Sequence, residues 1–568
     1  MCGIAGIYDI RAGSLTPEII RKMTDRIVHR GPDGEGQWLN PNAQVGLGHR
    51  RLSIIDLSEG GAQPMHFKDR YSITFNGEIY NYLELKERLQ EAGYQFQSAS
   101  DTEVLLAMYD SKKEACLQEL DGMFAFVIWD EQEKRLFCAR DRFGEKPFHY
   151  HWNGERFCFA SEIKALFAAG VPQRISRKNM EEFLLHYLIS GKNETFFEDI
   201  FVLEQGHYLS IQEGNLTIER YYDIDLKKKA ASDHDEGYAL KFRELFKRGL
   251  KRRLRSDVPI GSSLSGGLDS SSVVCFVRDI IGPDANQQTF SARFTEGRDE
   301  GQWIDQVVLK AKTKHHDIYP ESQEVSQDIQ KMIYHLEYPF GSFSISASWF
   351  VMKRVSEEGV KVVLDGQGAD EYLAGYPVFK NYLLMQYLAQ GKWRRFVRAR
   401  KAYRKLYGQQ YPLGKMLWAH PLLALIKHPR GAFYHARTFK QRLKYETFHR
   451  LQELLSNADR VSMAFGVEVR LPFLYHELVE YGFSLPDEQL YHDGTTKYVL
   501  RNAIRGIVPD AIVERKDKIG YEAPQHAWMD KLYDEASCKN FLTERQYTPC
   551  EDGWRNYIAC EFIKCFES

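Results

Sequence analysis

A cysteine at position 2 could act as a nucleophile that carries its own base. If Met1 is removed, the thiol and a free α-amine belong to one residue. The α-amine has a reference pKa of about 7.7–8.0, so near neutral pH part of it is unprotonated and can accept the thiol proton. Cys2 could equally be a small apolar residue at the start of a strand. The residues that accompany it decide between these interpretations.

Other side chains in the first domain suit work on an amide substrate. Asn76 and Gly77 follow an apolar run and could donate two hydrogen bonds to an oxyanion, although Asn-Gly is also a common hairpin turn. Arg51 could bind a carboxylate with its forked guanidinium, or form a surface salt bridge. Asp101 could bind an ammonium group, or cap a helix that begins near Glu103. Taken one at a time, these residues leave both interpretations open.

A loop rich in serine and glycine, residues 264–271 (LSGGLDSS), lies between a predicted strand and a predicted helix. Its glycines let backbone N–H groups approach a phosphate, and the start of the helix adds partial positive charge. Asp269 could hold Mg²⁺ against phosphate oxygens. A P-loop would need Gly-Lys-Ser/Thr after four spacer residues, and the sequence contains no such segment. A plain Ser/Gly helix cap is the alternative.

Three later segments carry further polar candidates. Residues 362–371 (VVLDGQGADE) again place glycines and acids after an apolar run. Residues 457–473 run from Asn-Ala-Asp-Arg to Val-Glu-Val-Arg-Leu-Pro-Phe and form a third signature. Lys518 stands in RKDKIGYEAP, where a solvated basic face is the ordinary interpretation.

Two different patterns of elements must position these residues. The first 215 residues contain short apolar or alternating runs separated by turn dipeptides, which predicts layered sheets with a few helices. Residues 223–237 are polar, and we place a linker at 216–237. Beyond it strands and helices alternate, which predicts a parallel sheet, and after Tyr372 the chain is predicted to be mostly helical. The predicted domains are therefore residues 1–215 and 238–568.

Composition narrows the class of protein. A chain of 568 residues is long enough for at least two domains, and its formal net charge of −2 excludes a generally basic protein that coats nucleic acid. Nine scattered cysteines without a C-x-x-C pair argue against a zinc ribbon and a disulfide framework. No 18-residue apolar run or signal peptide is present, so we expect a cytoplasmic protein.

One segment is strongly basic, although the whole chain is nearly neutral. Residues 372–445 contain sixteen Lys or Arg and no Asp or Glu, and eight of the basic residues fall within 392–405. A helical insert with a solvated basic face is one interpretation. A surface that meets anionic lipid or an anionic glycan through residues 392–426 is the other, because clustered cations with aromatics suit a membrane interface.

The motifs of the first domain resemble a known family. MCGIAGIYD, HRGPDG, HRRLSIIDL, FNGEIYNY, SDTEVLL, LDGMFAF and ARDRFGEKP, in this order, are similar to the class II glutamine amidotransferase domain of glutamine-dependent asparagine synthetases. The resemblance implies a four-layer α/β/β/α amino-terminal-nucleophile fold, with Cys2 as nucleophile and Asn76 and Gly77 as the oxyanion hole. It implies glutamine binding by Arg51, Leu52, Ser53, Ile54, Ile55, Asn76, Gly77, Glu78 and Asp101.

The second domain resembles the adenylating half of the same family, an α/β domain similar to adenine-nucleotide α-hydrolases with a helical extension. SGGLDSS looks like the pyrophosphate loop of ATP pyrophosphatases, and Lys518 matches a lysine that stabilises charge during adenylation. The resemblance implies Mg²⁺ at Asp269 and Asp370, and intermediate formation at Gln367. It implies ATP binding by Ser263, Leu264, Ser265, Gly266, Gly267, Asp269, Ser270, Arg293, Asp365 and Gly366.

Three departures concern the acid that is amidated. Gln367 replaces the glutamate with which the best-known asparagine synthetases form the aspartyl-adenylate. Residues 341–346 (GSFSIS) replace a Thr-Thr-Ile-Arg stretch implicated in aspartate binding, so its arginine is absent. Tyr475 replaces the aspartate of Pro-Phe-Leu-Asp. A buried carboxylate needs a cationic partner, so these changes affect which acid fits.

The resemblance implies an enzyme that makes asparagine from aspartate, glutamine and ATP with Mg²⁺, as a homodimer without a nucleic-acid partner. An enzyme with the same chemistry that amidates another carboxylate, such as a uronic-acid sugar of a surface polysaccharide, is the nearest alternative. A non-catalytic scaffold that has kept the fold is a third possibility, and the intact motifs argue against it.

Overall fold

The computed structural model describes residues 2–187, 193–231, 234–295, 299–407, 438–516, 528 and 534–567. Two six-stranded sheets lie in the first domain, and a five-stranded parallel sheet lies in the second. A two-stranded ribbon completes the strands of the described residues. All nine cysteines are free thiols.

The strands of the first domain run antiparallel in two sheets, ordered β10-β8-β9-β1-β3-β2 and β12-β11-β7-β6-β5-β4. Their bounds are β1 Gly3–Asp9, β2 Gly34–Leu39, β3 Val45–Arg51, β4 Met65–Phe67, β5 Tyr71–Ile79, β6 Gly122–Asp130, β7 Arg135–Arg140, β8 His149–Trp152, β9 Arg156–Ala160, β10 Phe201–Val202, β11 His207–Gln212 and β12 Asn215–Arg220. The helices are Pro17–Asp25, Tyr82–Glu91, Asp101–Lys112, Ile163–Ala168 and Arg177–His186.

Three apolar clusters stack these elements into four layers. Ile4 and Leu47 of one sheet meet Val127 and Trp129 of the other in the core between the two sheets. Helix Asp101–Lys112 packs on the outer face of the second sheet. The amphipathic helix Pro17–Asp25 packs on the outer face of the first sheet. The predicted α/β/β/α fold is confirmed, because each sheet is apolar on both faces and needs cover on both.

Strand β12 extends through Arg220, so five residues of the predicted linker belong to the edge of a sheet. Its side chains are mostly exposed, which makes the strand resemble a polar linker in sequence. The boundary drawn at residue 215 therefore cuts this edge strand.

The second domain is built on the parallel sheet β15-β14-β13-β16-β17, as predicted. Its strands are β13 Ile260–Ser263, β14 Gln288–Ala292, β15 Lys314–Ile318, β16 Val362–Leu364 and β17 Glu468–Arg470, and the ribbon is β18 Tyr491–His492 with β19 Thr495–Thr496. The described helices are Asp235–Arg253, Leu268–Ile281, Gly301–Ala311, Ser322–Leu336, Ser344–Glu357, Ala369–Tyr372, Phe379–Ala389, Trp393–Tyr407, Phe439–Tyr445, Leu451–Met463, His476–Ser484, Asp487–Leu490, Tyr498–Ile504, Asp510–Glu514, Glu535–Glu544 and Gly553–Phe566.

Candidate active sites

A pocket opens beside Cys2, which immediately precedes β1 and is buried. The end of β3, the end of β5 and the start of helix Asp101–Lys112 converge here. Seven of the nine predicted glutamine-binding residues line it; Ser53 and Asn76 do not. The lining residues are Cys2, Arg51, Leu52, Ile54, Ile55, Gly61, Gln63, Phe75, Gly77, Glu78, Ser100, Asp101 and Thr102.

Asn76 lies directly against the amino-terminal residue. Its Oδ1 accepts a hydrogen bond from the backbone N–H of Cys2 at 3.0 Å. Its Nδ2 is buried and has no hydrogen-bond partner among the described residues. An unused amide donor beside a thiol is what an oxyanion hole requires, because the charge it stabilises develops only during the reaction.

Asn76 and Gly77 are not a hairpin turn. Both lie inside β5 and pair with Ala125 and Phe124 of β6. A Cβ atom on Gly77 would come within 2.1 Å of the Met123 carbonyl oxygen, so the neighbouring strand leaves room only for glycine.

The carboxylate of Asp101 is available to the pocket because another residue caps its helix. The Ser100 side chain accepts from the Thr102 N–H at 3.2 Å and provides the cap. Asp101 Oδ2 accepts from the Ile79 N–H at 2.8 Å, which fixes the carboxylate at the end of β5. Burial raises the pKa of Asp101 to about 6.

Arg51 is held by main-chain carbonyls. Its guanidinium donates to the carbonyls of Ser58, at 2.8 Å, and Asp56. No carboxylate lies within ion-pair distance of it in the described ranges, so the alternative of a surface salt bridge is not realised there. Ser53 instead directs its backbone N–H to Asp33 Oδ2 at 2.8 Å.

Sequence reasoning missed several polar residues of this pocket. Gln63 accepts from the Phe75 N–H at 2.6 Å and donates to Thr102 at 3.3 Å, which ties the floor of the pocket to the helix. Ser100 and Thr102 lie in the SDTEVLL motif, so their proximity to Asp101 was the available signal. Gln63 stands in no recognised motif.

The thiol of Cys2 lies in an acidic environment. Burial raises its pKa, and the negative charges of Glu468 and Glu78 raise it further. Glu468 belongs to β17 of the second domain, so part of the electrostatic environment of Cys2 comes from the other domain. The thiol is therefore protonated near neutral pH and needs a base to attack.

The Ser/Gly loop of the second domain has the predicted setting. It connects β13 to helix Leu268–Ile281, and residues 365–368 follow the neighbouring parallel strand β16. The carboxyl ends of adjacent parallel strands are where open α/β sheets bind ligands. A Cβ on Gly366 would meet the Ser270 backbone nitrogen at 2.6 Å, so the two loops are in close contact. Most of the predicted ATP-binding residues are thus adjacent.

Lys497 joins the two acids predicted to hold magnesium. Its Nζ donates to Asp269 Oδ2 and lies 2.7 Å from Asp370 Oδ1. Two carboxylates that converge on one cation in this way fit a divalent metal as well as an ammonium group. Lys497 was not among the predicted site residues because TTKYVLR carries no signal of its own.

Arg293 lies at the end of β14 but directs its guanidinium to Asp299, at 2.7 Å, and Asp317, at 3.0 Å. Gln367 donates its N–H to Asp365 Oδ1 at 3.0 Å, and its own Oε1 is buried without a hydrogen-bond partner in the described part of the chain. Burial raises the pKa of Asp365.

Lys518 lies outside the described residues. Arg515, three residues earlier, donates to the Gly266 carbonyl at 3.3 Å and pairs with Glu300 at 2.7 Å. This brings the chain that leads to Lys518 to the Ser/Gly loop.

An apolar cluster joins the two domains. Its first-domain members are Leu52, Ile54, Tyr80 and Met123, and its second-domain members are Val362 and Met463. Leu52 and Ile54 also line the pocket of Cys2, whereas Val362 belongs to the strand that precedes Asp365. The cluster therefore links one site to the strand that carries the other.

Buried ion pairs also connect the two domains. Arg30 donates from Nε to the Cys2 carbonyl at 3.1 Å and from Nη1 to Glu162 at 2.9 Å and Asp459 at 2.8 Å. Lys164 bonds Glu162 and lies 3.1 Å from Glu337. Full burial of such pairs makes the loss of either partner costly.

His29, Glu162 and His335 lie close enough together to hold a cation. The Glu162 carboxylate already accepts from Arg30, Lys164 and His29. Because Arg30 and Lys164 already balance its charge, we assign no metal to this cluster.

Comparison with known proteins gives the class and then the family. The glutamine amidotransferase domain family matches residues 1–222, and the asparagine synthase family matches residues 241–548. The two domains define a glutamine-hydrolysing amidotransferase joined to a ligase. Asparagine synthetase [glutamine-hydrolyzing] 3 of Bacillus subtilis is 33% identical, covering 93% of this chain and 88% of the relative. Asparagine synthetase [glutamine-hydrolyzing] 1 of the same organism is 30% identical, covering 96% and 90%.

The chain belongs to the family of glutamine-dependent asparagine synthetases. Amidase chry2 of Gibberella zeae is also similar, at 26% identity over 93% of this chain and 90% of the relative. Among the described residues, no helix combines the length and apolarity needed to cross a membrane.

Proposed function

We propose that the protein is a glutamine-hydrolysing asparagine synthetase that transfers ammonia from glutamine to aspartyl-adenylate, converting ATP to AMP and pyrophosphate. The observation that carries the proposal is the pairing of two sites: a thiol pocket with an unused amide donor at Asn76, and a Ser/Gly loop beside Asp365. The names of the two Bacillus relatives support aspartate as the acceptor.

In the first site, the α-amine of Cys2 accepts the thiol proton after removal of Met1, and the sulfur attacks the side-chain amide of glutamine. Asn76 Nδ2 and the Gly77 N–H stabilise the oxyanion. Arg51 binds the substrate carboxylate and Asp101 its ammonium group. The α-ammonium of Cys2 returns the proton to the amide nitrogen as the C–N bond breaks, so ammonia leaves and a thioester remains. Water then hydrolyses the thioester to release glutamate and the free thiol.

In the second site, an acceptor carboxylate attacks the α-phosphate of ATP and pyrophosphate departs. A carboxylate is a poor acyl donor because its leaving group would be oxide, and adenylation supplies a stable one. The backbone N–H groups of residues 264–270 hold the pyrophosphate, and Lys497 and Lys518 balance its charge. Asp269 and Asp370 would hold Mg²⁺, which offsets phosphate charge when bound.

Ammonia must travel between the sites unprotonated, because ammonium has no lone pair with which to attack. The family is known for a tunnel, and we propose that the apolar cluster of Leu52, Ile54, Met123, Val362 and Met463 lies along this path. An apolar lining disfavours the charged form. Ammonia that arrives displaces AMP from the acyl-adenylate and forms the amide.

The same chemistry on another carboxylate, such as a uronic-acid sugar, is the alternative. It is favoured by Gln367 and by the absence of arginine from residues 341–346. The similarity to a relative named as an amidase also leaves room for a different acceptor.

The test is pyrophosphate release from ATP and ammonium chloride with a panel of acids, with the amide product identified by mass. Aspartate should support release and yield asparagine. Release with a sugar acid and none with aspartate would change the acceptor and keep the chemistry. No release with any acid would contradict the ligase assignment.

Three further properties remain proposals. We propose a homodimer from the family resemblance, and a cytoplasmic location.

We also propose that the basic segment contacts anionic membrane surfaces. On helix Trp393–Tyr407 the side chains of Trp393 and Val397 are 63% and 46% exposed, beside Arg394 and Lys401. Residues 408–426 of the predicted contact lie outside the described residues. Binding to phosphatidylserine vesicles should weaken at high salt.

A further inference from the structure

Asp459 and Arg470, near the two ends of the third sequence signature (residues 457–473), have no role in the reaction steps proposed above, yet both connect to the glutamine site. Asp459, near its start, is paired with Arg30, which donates to the carbonyl of Cys2. Arg470, near its other end, approaches Glu78, a residue that lines the Cys2 pocket. A segment of the second domain is thus connected to the first site twice, once through Arg30 and once at Glu78.

The main chain of Arg470 is hydrogen-bonded to the loop that follows β16, beside the proposed nucleotide site. It ends β17, where it pairs with Leu364 of β16. Its carbonyl accepts the N–H of Asp365 at 3.0 Å. A shift of the loop at residues 365–368 on nucleotide binding would therefore move Arg470 directly.

The guanidinium of Arg470 makes three hydrogen bonds and has one nitrogen without a hydrogen-bond partner among the described residues. Nη1 donates to the carbonyls of Arg253 at 2.7 Å and Arg255 at 2.6 Å, and Nε donates to Glu468 at 2.6 Å. Nη2 faces Glu78 Oε2 at 3.5 Å. Neither of these last two buried atoms has a hydrogen-bond partner in the described part of the chain.

A gap of 3.5 Å between a buried donor and a buried acceptor is a contact that a small movement would complete. N–H···O hydrogen bonds have donor–acceptor distances of about 2.7–3.2 Å, so a movement of about 0.5 Å would bring these two atoms into bonding range. A charge-assisted hydrogen bond is stronger than a neutral one, so closing this gap would order Glu78 and the pocket around it.

We propose that Arg470 is the positioning residue that couples the two sites, tightening on Glu78 when the nucleotide loop is occupied and so favouring glutamine hydrolysis. The proposal rests on the proposed function, since it assumes that glutamine binds beside Cys2 and ATP beside Asp365. Arg470 acts on glutamine through Glu78 and is not itself a catalytic residue.

The charges around Glu78 agree with this role. Burial raises the pKa of Glu78, the charge of Glu468 raises it further, and Arg470 opposes both. Because Glu78 and Glu468 also raise the pKa of the Cys2 thiol, a guanidinium that draws their charge away makes the thiol easier to ionise.

The test compares wild type with Arg470→Lys, whose ammonium cannot serve Glu468, two carbonyls and Glu78 at once. Glutaminase kcat/KM is measured with and without ATP, Mg²⁺ and acceptor, and ammonia-supported synthesis is measured separately. We expect the substitution to lower nucleotide stimulation of glutaminase by about fivefold or more, a typical coupling strength, while ammonia-supported synthesis stays within about twofold. Ammonia-supported synthesis should be retained because the hydrogen bond from the Asp365 N–H to the carbonyl of residue 470 does not depend on the side chain.

Arg252→Lys is the matched control. Arg252 also crosses the interface, pairing with Asp121 of the first domain at 2.9 Å, but it does not contact Glu78. Nucleotide stimulation of glutaminase in Arg252→Lys should stay at the wild-type level. Equal loss in both variants, or full stimulation in Arg470→Lys, would overturn the proposal.

The variant Glu78→Gln keeps the proposal testable if Arg470→Lys folds poorly. Glu78→Gln alone should also lower the ratio of glutaminase activity with nucleotide to that without it. If it leaves the ratio unchanged, the proposal fails. Wild-type protein that lacks glutaminase activity or pyrophosphate release would contradict the proposed function instead. Wild-type protein with both activities and no nucleotide stimulation would contradict the coupling alone.

Discussion

In the proposed mechanism Asp101 binds the ammonium group of glutamine, which requires an ionised carboxylate, and its burial opposes ionisation. Because its pKa is raised to about 6, protonation below that pH removes the charge. Glutaminase kcat/KM for glutamine should therefore fall about tenfold per pH unit below pH 6, since kcat/KM reports the free enzyme. Asp101→Asn should lower kcat/KM at pH 7 by about 10- to 100-fold, the loss expected for one charged hydrogen bond, and remove this step.

Asp110→Asn, toward the other end of the same helix, is the control for this prediction. Asp110 pairs with Lys68 at the surface, so its pH profile should match wild type. An Asp101→Asn enzyme that keeps the wild-type step near pH 6 would place the titrating group elsewhere.

At the residue scale, the sequence motifs led to most of the pocket. Residues with unusual chemistry in a recognisable context, such as Cys2 and Asp101, were predicted, and the structure brings them together. Gln63 and Lys497 were not, because their partners Phe75 and Asp370 identify them only in three dimensions. The roles assigned to all these residues stay predictions.

The close contact of the two nucleotide loops gives a prediction at the scale of elements. In Gly366→Ala the new methyl group would clash with the Ser270 backbone nitrogen, so β16 and helix Leu268–Ile281 must separate. A misplacement of about 1 Å can cost about 100-fold in rate, so pyrophosphate release should fall by that order. Glutaminase activity in the same protein should stay within about twofold of wild type in the absence of nucleotide. Normal pyrophosphate release would contradict the proposed loop arrangement.

Most elements with a clear apolar pattern were predicted with the correct type. The apolar run before Asn76 ends at Phe75, but strand β5 continues through Ile79. Nine consecutive residues of β6 pair with it, and this pairing overrides the turn preference of Asn-Gly. Strand β17 has only three residues and was not predicted. The strand forms because it pairs with β16, and the sequence around β17 gives no indication of this distant partner.

The buried ion pairs between the domains give a prediction at the scale of the whole molecule. Arg30→Met leaves the carboxylates of Glu162 and Asp459 without their shared guanidinium. The loss of one partner from a buried pair costs about 3–5 kcal/mol, so the thermal midpoint should fall clearly. Arg11→Met, which breaks the exposed pair with Glu155, should cost about 0–1 kcal/mol. Equal midpoints for the two variants would contradict the role given to the interface.

This interface could not be predicted from the sequence. Arg30 and Asp459 are 429 residues apart, and neither lies in a pattern that names the other as a partner. The sequence predicted two domains with separate chemistries. Their contact depends on side-chain geometry that only the folded chain defines.

The transfer of nitrogen from one site to the other is the central claim, and an isotope measurement tests it most directly. Wild-type protein and Cys2→Ala are given ATP, Mg²⁺, acceptor, [amide-¹⁵N]glutamine and unlabelled ammonium, and the amide product is analysed by mass. Wild type should incorporate ¹⁵N, whereas Cys2→Ala should make only the unlabelled amide at an undiminished ammonia-supported rate. A labelled product from Cys2→Ala, or no product from a well-folded Cys2→Ala protein, would contradict the account.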